Sequence, residues 1–427
     1  MDTVFALASA PGKAGVAVVR ISGPKSWDAV EALSGQPVTS PRYASLKTLR
    51  DPAGDFIDQV LVIAFEKGAS FTGERVAEFH LHGSTAVVKA VLRLLGDLPQ
   101  CRTAEPGEFT RRALENGCLD LTQVEALADL IDSETEAQRK QALTVLTGAL
   151  SKKVGAWREK LVRSAALLEA TIDFVDEDVP VDVAPEVTEL LSDVLKDVES
   201  ELSGLDAAER IRSGYEVAIV GPPNAGKSTL LNFLAGREAA ITSELAGTTR
   251  DIIEVKMDVF GIAVTFLDTA GLRDTDDVVE KIGVERAKHR AESADLRVHL
   301  LVNDEGPLVA VKSDDLVLKA KQDSGGSDGV SGLTGHGVPQ LLEHIRGIFS
   351  ERMSSAGLAS NERHRENLSG GRVHLLSALD AMGYSDSEAD LISEDIRIAI
   401  RYLETMVGKV DVEHLLGEIF SSFCIGK

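Results

Sequence analysis

The sequence has few cysteines and few aromatic residues for its length. The three cysteines among 427 residues are Cys101, Cys118 and Cys424. They are too few and too scattered for a disulfide framework or a zinc site, and they suit a reducing cytoplasm, where we expect the protein to act. Phe, Trp and Tyr make up 4% of the chain, so its cores must be built from Leu, Val, Ile and Ala.

Positive charge is also scarce, and long apolar runs are missing. The formal net charge of -23 argues against binding of nucleic acid through a broad basic surface. If RNA is a substrate, a local basic patch or a partner protein must contact its phosphates. No apolar run is long enough to span a bilayer, and the first residues lack the cation of a signal peptide.

Apolar periodicity separates α/β parts of the chain from helical parts. Residues 1–116 have strand-like runs at 4–10, 16–21, 57–65 and 76–81 and a helical pattern at 86–95, whereas 117–209 and 351–427 are almost entirely helical. The helical stripes include Val187, Leu191, Val194, Val198, Leu391, Ile392, Ile396, Ala399 and Leu403. Residues 210–350 read as a P-loop module. We predict a multidomain α/β plus all-α protein, with an N-terminal α/β domain and a helical bundle domain into which a Ras-like P-loop domain is inserted.

Residues 215–229 have the pattern of a phosphate-binding loop. They read Tyr-Glu-Val-Ala-Ile-Val-Gly-Pro-Pro-Asn-Ala-Gly-Lys-Ser-Thr, which predicts a strand, a glycine loop and the start of a helix. The backbone N–H groups of such a loop converge on a di- or triphosphate. Lys227 would reach the β- and γ-phosphates, and the Ser228 hydroxyl would bind Mg²⁺. The alternative is a glycine turn that opens a buried helix, with Lys227 in solvent.

Two further motifs follow in the order that GTPases use. Gly247-Thr248-Thr249 lies in a predicted loop, and Asp268-Thr269-Ala270-Gly271 directly follows a predicted strand. Thr249 could bind Mg²⁺ and sense the γ-phosphate, Asp268 could orient the water shell of the magnesium, and Gly271 could donate its N–H to the γ-phosphate. The three motifs together predict a GTPase.

The residues that select the base depart from the usual pattern. Guanine is commonly read by Asn-Lys-x-Asp at a strand end, and here the candidate is Val311-Lys312-Ser313-Asp314. Asp314 would accept from guanine, and the missing amide should weaken affinity. This choice implies parallel strands at 298–302 and 308–311, but a parallel crossover takes about a dozen residues. Either the usual helix is deleted and the sheet edge is rearranged, or one strand is misplaced.

Ser331-Gly332-Leu333 is the expected second guanine loop. The residues expected to contact the nucleotide are Asn224, Ala225, Gly226, Lys227, Ser228, Thr229, Ser243, Glu244, Leu245, Ala246, Gly247, Thr248, Thr249, Asp268, Thr269, Ala270, Gly271, Lys312, Asp314, Ser331 and Gly332.

Hydrolysis requires a group that positions water. Leu272 follows the Asp268 motif where many GTPases have Gln, and its side chain offers no hydrogen bond. Glu280 is the candidate, and a solvated glutamate at a helix start is the alternative. Arg250 and Arg273 could act as an arginine finger, or a bound monovalent cation could do the same electrostatic work.

Two polar stretches of the N-terminal domain are unusual for a purely structural domain. One is Phe71-Thr72-Gly73-Glu74, which leads to Glu78 and His80, and the other spans 105–113. His80 and His82 share one face of a strand. Without a third ligand nearby, we expect them to line a ligand pocket or to cap the sheet edge rather than to bind a metal.

Taken together, these motifs resemble those of the MnmE (TrmE) family of tRNA-modification GTPases over nearly the whole chain. The resemblance rests on residues 10–16, 20–23, 71–74, 106–109, 119–122, 221–228, 247–251, 268–273 and 423–427. It implies a folate-binding and dimerisation domain at 1–116, a helical domain at 117–209 and 351–427, and an inserted G domain at 210–350. It also implies a potassium-activated GTPase whose G domains dimerise.

The resemblance further implies the substrate and the partner. A homodimer would act with an MnmG (GidA)-type flavoprotein, which carries FAD, in a heterotetramer. The pair would modify carbon 5 of the wobble uridine, position 34, of certain tRNAs, with a formyl- or methylene-tetrahydrofolate as the one-carbon donor.

The same resemblance assigns roles to individual residues. Potassium would be bound by Asn224, with Ser243, Leu245 and Thr248 from the loop 243–248, and Glu280 would be the catalytic glutamate. The folate contacts would be Arg20, Glu78, position 118 and Lys427. Cys118 stands where the family usually has a cation, so position 118 lacks the positive charge that would pair with the acidic tail of the folate. Cys424 could be a reactive thiol or a buried packing thiol.

Two other functions fit parts of the sequence. A ribosome-assembly switch would use GTP only to gate contact with RNA, although the acidic helices do not resemble a basic RNA-binding domain. A degenerate nucleotide-binding scaffold would explain Val311 and the short link at 303–307.

Overall fold

The computed structural model describes residues 2–173, 182–237, 239–241, 254–268, 292–302, 306–307, 310–326, 328–382, 389–409, 420, 423 and 426. The chain forms two compact units. The terminal unit comprises Met1–Ala128 and Glu404–Lys427, and the central unit comprises Asp129–Leu403. Within the residues that the structure describes, no helix is both long enough and apolar enough to cross a membrane.

The terminal unit is built on a six-stranded mixed sheet. Its strands are β1 (Thr3–Leu7), β2 (Ala14–Ser22), β3 (Ser45–Arg50), β4 (Phe56–Phe65), β5 (Val76–Gly83) and β6 (Cys101–Thr103), in the order β3-β4-β5-β2-β1-β6. The helices are α1 (Ser26–Ser34), α2 (Thr85–Gly96), α3 (Glu108–Glu115) and α4 (Leu121–Asp132), the last of which runs into the central unit. Strand β1 pairs antiparallel with β2 and parallel with β6.

The two faces of this sheet have different cores. Val19, Phe79 and Leu81 point to the face that α1 and α2 cover, as alternation along a strand requires. A smaller core on the other face includes Val4 and Phe109. The four predicted strands and the predicted helix are confirmed as β1, β2, β4, β5 and α2, whereas β3 and β6 were not predicted.

The helices of the central unit pack around α7. They are α5 (Glu136–Leu146), α6 (Ala149–Asp173), α7 (Ala184–Ser213), α10 (Glu362–Ala381) and α11 (Ala389–Met406), and α7 contacts α5, α6 and α10. The predicted stripe on α7 is confirmed, because Val187, Leu191, Val194 and Val198 are all buried. On α11 the stripe is confirmed except at Leu391, whose side chain is 66% exposed.

A second six-stranded sheet lies in the chain between α7 and α10. Its strands are β7 (Tyr215–Val220), β8 (Glu254–Val259), β9 (Ile262–Asp268), β10 (Leu296–Leu301), β11 (Leu316–Ala320) and β12 (Gly329–Val330), in the order β12-β11-β10-β7-β9-β8. All neighbours are parallel except β8 and β9. Helices α8 (Lys227–Ala235) and α9 (Val338–Met353) pack their apolar residues into its core. This second sheet is therefore inserted between helices, as predicted.

The predicted strand at 308–311 is not found at residues 310 and 311, the part of that range that the structure describes. The strand after β10 is β11 at Leu316–Ala320, and it pairs in parallel with β10. Residues 302–315 connect the two strands, which meets the length that a parallel crossover requires. The unusually short link at 303–307 therefore resulted from placing the second strand too early in the chain.

Hydrogen bonds between side chains and the backbone lie where the chain enters this sheet and where it leaves it. The Gln138 side chain donates to the Arg212 carbonyl at 3.0 Å, where α7 leads into β7. After α9, the buried Glu201 carboxylate accepts from the N–H groups of Leu358 and Ala359 at 2.8 and 3.1 Å. Both contacts satisfy polar groups at element ends.

Candidate nucleotide-binding site

The phosphate-binding loop lies at the carboxyl end of the central strand of the inserted sheet. Strand β7 has β9 and β10 as parallel neighbours and ends at Val220, and α8 begins at Lys227. Between them, Asn224 and Gly226 adopt left-handed backbone angles, with φ of 62° and 96°. This turn aims successive N–H groups and the helix N-terminus at one point, which is the geometry of an anion site.

Lys227 is the buried cation of this loop. Lys227 is only 6% exposed, and its ammonium donates to the carbonyls of Gly221 at 2.7 Å and Pro222 at 3.0 Å. The charge is therefore held over the loop by the loop's own backbone. The alternative of a lysine in solvent is wrong.

Ser228 and Asp268 meet beside the loop. The Ser228 hydroxyl donates to Oδ2 of Asp268 at 2.7 Å, and Asp268 ends β9 with 4% exposure. Asp268 lies opposite Ile219 in the parallel pairing of β9 with β7. A hydroxyl and a carboxylate at this place are the hard oxygen ligands that suit Mg²⁺.

A cavity of about 260 Å³ lies beside the first turn of α8, next to the ends of β11 and β12. Residues of its lining are Ala225, Gly226, Thr229, Ala320, Lys321, Asp323 and Gly332. It thus joins the phosphate-binding loop to residues that follow β11, and its size suits a nucleobase.

Asp323 is oriented in this cavity by a buried serine. The Ser331 hydroxyl donates to Oδ1 of Asp323 at 2.6 Å and accepts from the N–H groups of Leu333 and Thr334 at 3.2 and 3.0 Å. Ser331 is fully buried. The Asp323 carboxylate is consequently held at one oxygen by a buried hydroxyl, at the lining of the cavity.

Lys312 and Asp314, the expected base-reading pair, lie elsewhere. The Lys312 ammonium donates to the Glu292 carbonyl at 3.2 Å, and the Asp314 carboxylate accepts from Arg352 at 2.7 Å. Neither residue lines the cavity. The hydrogen bonds from Arg352 and Ser313 hold the pKa of Asp314 below its usual value, which is the behaviour of a surface ion pair.

Sequence reasoning missed Lys321 and Asp323. Residues 320–323 read Ala-Lys-Gln-Asp directly after β11, which keeps the Lys-x-Asp spacing but has Ala in the first position. The signal was available, because the apolar run 316–318 precedes this tetrapeptide as a strand precedes Asn-Lys-x-Asp. Of the other expected nucleotide contacts, Ser243, Glu244, Leu245, Ala246, Gly247, Thr248, Thr249, Thr269, Ala270, Gly271 and the catalytic candidate Glu280 lie outside the described residues.

A separate polar site lies in the terminal unit. Arg20 on β2 and Glu78 on β5 are directly opposite in the sheet and form an ion pair at 2.9 Å. The Arg20 guanidinium lies over the rings of Phe71 and Phe109, at 5.4 and 5.6 Å from their centroids. Aromatic faces at this distance attract the guanidinium and help to hold it in place.

Cys118 lies against the loop that carries Phe71. A Cβ built on Gly73 would be 2.9 Å from the Cys118 sulfur, and the Cys118 thiol is free and exposed. Arg20, Glu78 and Cys118 are thereby gathered around residues 71–74. Lys427 and Cys424 lie outside the described residues.

A network of buried charged side chains holds the loop 71–74 in place. Arg112 donates to Glu74 at 3.0 Å and to Glu108 at 2.9 Å, and Ser22 donates to Glu74 at 2.7 Å. Burial alone would raise the pKa of Glu108, but hydrogen bonds from Arg102, the Glu105 N–H and Arg112 outweigh burial and hold its pKa below the usual value. The loop 71–74 is therefore tied to α3 by ionised side chains.

The two histidines of β5 have carboxylate neighbours. His82 Nδ1 is 2.7 Å from Asp58 Oδ1, and His80 Nε2 is 3.7 Å from Glu78 Oε2. Among the described residues, no group of three or more His, Cys, Asp or Glu side chains could hold a metal ion.

Comparison with known proteins places the whole chain in one group. The family model described as MnmE helical domain matches residues 121–424, and that described as GTP-binding protein TrmE N-terminus matches 3–118. A relative from Roseobacter denitrificans named tRNA modification GTPase MnmE is 59% identical over 429 residues, with full coverage of both chains. One of the same name from Ruegeria pomeroyi is 55% identical over 436 residues, again with full coverage.

Solved structures show weaker similarity. The structure of Era with MgGDPNP and nucleotides 1506–1542 of 16S ribosomal RNA is 28% identical, covers 32% of this chain and 56% of that chain, and has a TM-score of 0.25. That score is too low to bear on the fold.

Proposed function

The chain belongs to the MnmE family of tRNA modification GTPases, and from this premise we propose that it binds GTP at the loop 221–226 and hydrolyses it in the course of tRNA modification. The observation that carries this proposal is the meeting of Lys227, the Ser228–Asp268 pair and the Asp323 cavity around one phosphate-binding loop. Purified protein should hydrolyse GTP, and Lys227→Ala should remove nucleotide binding. Equal GTP affinity in this variant would contradict the proposal.

Magnesium would be held by Ser228 and Thr249, and Asp268 would orient the water shell of the magnesium. The fit is supported by two oxygen donors 2.7 Å apart at a buried strand end. When bound, Mg²⁺ offsets the negative charge of the β- and γ-phosphate oxygens. The protein's own part is to place the Lys227 ammonium and the loop N–H groups beside the same oxygens.

The base is read at a different place from the one expected. We assign the reading of guanine to Asp323, flanked by Lys321, rather than to Asp314 and Lys312. A carboxylate held at one oxygen by Ser331 can accept from guanine N1–H and the 2-amino group, and it lines a cavity that reaches Ala225 and Thr229. Ser331 and Gly332 then form the second guanine loop.

We propose that potassium and Glu280 take part in catalysis, as the resemblance to the family implies. Asn224, in the turn of the phosphate-binding loop, would bind K⁺ together with Ser243, Leu245 and Thr248, and Glu280 would position the attacking water. The support within the described residues is that Asn224 is exposed in the loop, with a φ of 62°. GTP turnover should rise steeply when sodium is replaced by potassium, and equal rates in both salts would remove this mechanism.

The terminal unit is proposed to bind a formyl- or methylene-tetrahydrofolate. Arg20, Glu78, Cys118 and Lys427 are the proposed contacts, and the ion pair of Arg20 between two aromatic rings supports this. Titration with 5-formyltetrahydrofolate tests it. Unchanged affinity in Arg20→Ala would contradict it.

The partner is proposed to be an MnmG-type flavoprotein that carries FAD, and the substrate to be position 34 of certain tRNAs. A net charge of -23 supports a need for a partner that contacts RNA phosphates. Homodimerisation through the terminal unit is supported by the exposed apolar pair Leu46 and Leu61, which are opposite each other on β3 and β4. Mass analysis of wobble uridines in cytoplasmic tRNA from cells without this chain tests the substrate.

The division into domains at residues 116, 209 and 350 is retained as part of this proposal. Residues 209 and 350 lie in the last turns of α7 and α9, so limited proteolysis should cut in the segments that follow these helices before it cuts within the sheets.

A further inference from the structure

Gly332 lies where the second guanine loop touches the first turn of α8. A Cβ built on Gly332 would lie 2.6 Å from Leu230 Cα and 2.7 Å from Thr229 C, and closer still to Leu230 N. All three are backbone atoms, so a side chain at 332 cannot be accommodated by a rotamer change. The close approach of two backbones, and not the backbone angle, is what requires glycine here.

The backbone that Gly332 touches also carries the phosphate-binding loop. The Leu230 N–H donates to the Gly226 carbonyl at 2.9 Å, so the first turn of α8 is tied to the last residue of the loop 221–226. On the base side, Ala320 ends β11 and lines the same cavity. Its methyl group has no donor or acceptor with which to link the base-reading segment to the phosphate-binding loop.

We propose that Gly332 is a positioning residue for base recognition, and that its backbone contact with α8 takes the place of the missing side-chain amide at position 320. The inference rests on the proposed GTP-binding function. This contact fixes the position of the loop 331–333 relative to the phosphate-binding loop. The hydrogen bond from Ser331 then fixes the position of the Asp323 carboxylate.

The path from Gly332 to the base is short. Ser331 precedes Gly332 and its hydroxyl donates to Asp323 at 2.6 Å, while the N–H of Leu333, on the other side of Gly332, donates back to that hydroxyl. Restoring an ordinary 3.4 Å separation between a methyl group at 332 and Leu230 Cα requires a shift of about 0.8 Å. A shift of about 1 Å at a recognition site can change a rate or affinity by ~10²-fold.

The test is Gly332→Ala in the full-length chain, with GTP and ITP as ligands in equilibrium binding. ITP lacks the 2-amino group, so it keeps only one of the two hydrogen bonds to Asp323. Displacing the Asp323 carboxylate weakens two hydrogen bonds to the base of GTP but only one to the base of ITP. We expect GTP affinity to fall by ~10-fold or more and the ratio of GTP to ITP affinity to fall at least ~3-fold.

The matched control is Gly347→Ala. Gly347 lies in α9 of the same unit, and a Cβ built there meets nothing within 4 Å. This variant should leave both affinities unchanged. A Gly332→Ala protein that melts like the wild type and keeps its GTP affinity, or that loses GTP and ITP affinity equally, would overturn the inference.

Ser331→Ala keeps the inference testable if Gly332→Ala does not fold. It removes the hydroxyl that orients Asp323 and should lower the same GTP-to-ITP ratio. If both variants fold, their combined effect should be smaller than the product of the single effects, because they act through one path. Independent effects of the two would count against the proposal. Wild-type protein that ignores GTP would instead overturn the proposed function.

Discussion

Replacing Asp323 with alanine is the sharpest test of where the base is read. The carboxylate lines the cavity beside the phosphate-binding loop and is oriented by the fully buried Ser331. Removing it leaves guanine N1–H and the 2-amino group without an acceptor. The phosphate contacts of Lys227 stay intact, so the loss falls on base recognition.

The magnitude follows from the two hydrogen bonds to a charged acceptor. Each contributes about 1.5–3 kcal/mol, and we take the lower end because Asp323 is exposed to solvent before a ligand binds. A loss of about 3 kcal/mol corresponds to ~10²-fold in Kd. Equilibrium titration with a fluorescent GTP analogue measures this directly.

Asp323→Asn adds a test of geometry. An amide at 323 can donate to the 2-oxo group of xanthine where the carboxylate accepts from the 2-amino group of guanine. This variant should therefore bind XTP more tightly than GTP, and the wild type should show the reverse order.

Asp314→Ala is the matched control. Asp314 is exposed and bound to Arg352, and such a surface ion pair contributes little to stability because solvent screens it. GTP affinity should not change. If Asp314→Ala weakens GTP binding and Asp323→Ala does not, the reasoning from the cavity is refuted.

Three further predictions concern magnesium, acid stability and folate. Ser228→Ala should lower kcat at saturating magnesium by ~10-fold or more, measured by phosphate release, because one oxygen ligand is lost. Glu108→Gln should destabilise the protein by about 1–3 kcal/mol at pH 7 in urea unfolding. Because the folded pKa of Glu108 is lowered, its stabilisation is present above the unfolded pKa of about 4.3 and is lost as pH falls through the folded pKa. The gap between variant and wild type should then close in acid. Cys118→Lys should raise folate affinity up to about fivefold in titration, as expected for an exposed ion pair of at most about 1 kcal/mol.

Local sequence was sufficient for the phosphate-binding loop and for the helices. The loop 221–226 and the residues Lys227 and Ser228 are consecutive, so their spacing along the chain already sets their spacing in space. The stripe on α7 is equally local, because a 3.6-residue period places Val187, Leu191 and Val194 on one face whatever they pack against.

Contacts between distant segments decided the base site. The apolar run 316–318 before Asp323 is a signal in the sequence, but the run at 308–311 competes with it on local pattern alone. The pairing of β11 with β10 decided between the two runs. Gly332 shows the same limit. Its sequence context indicates a loop, but the need for glycine comes from the backbone of Leu230, about a hundred residues earlier in the chain, and no periodicity along a single segment encodes the approach of two backbones in the folded chain.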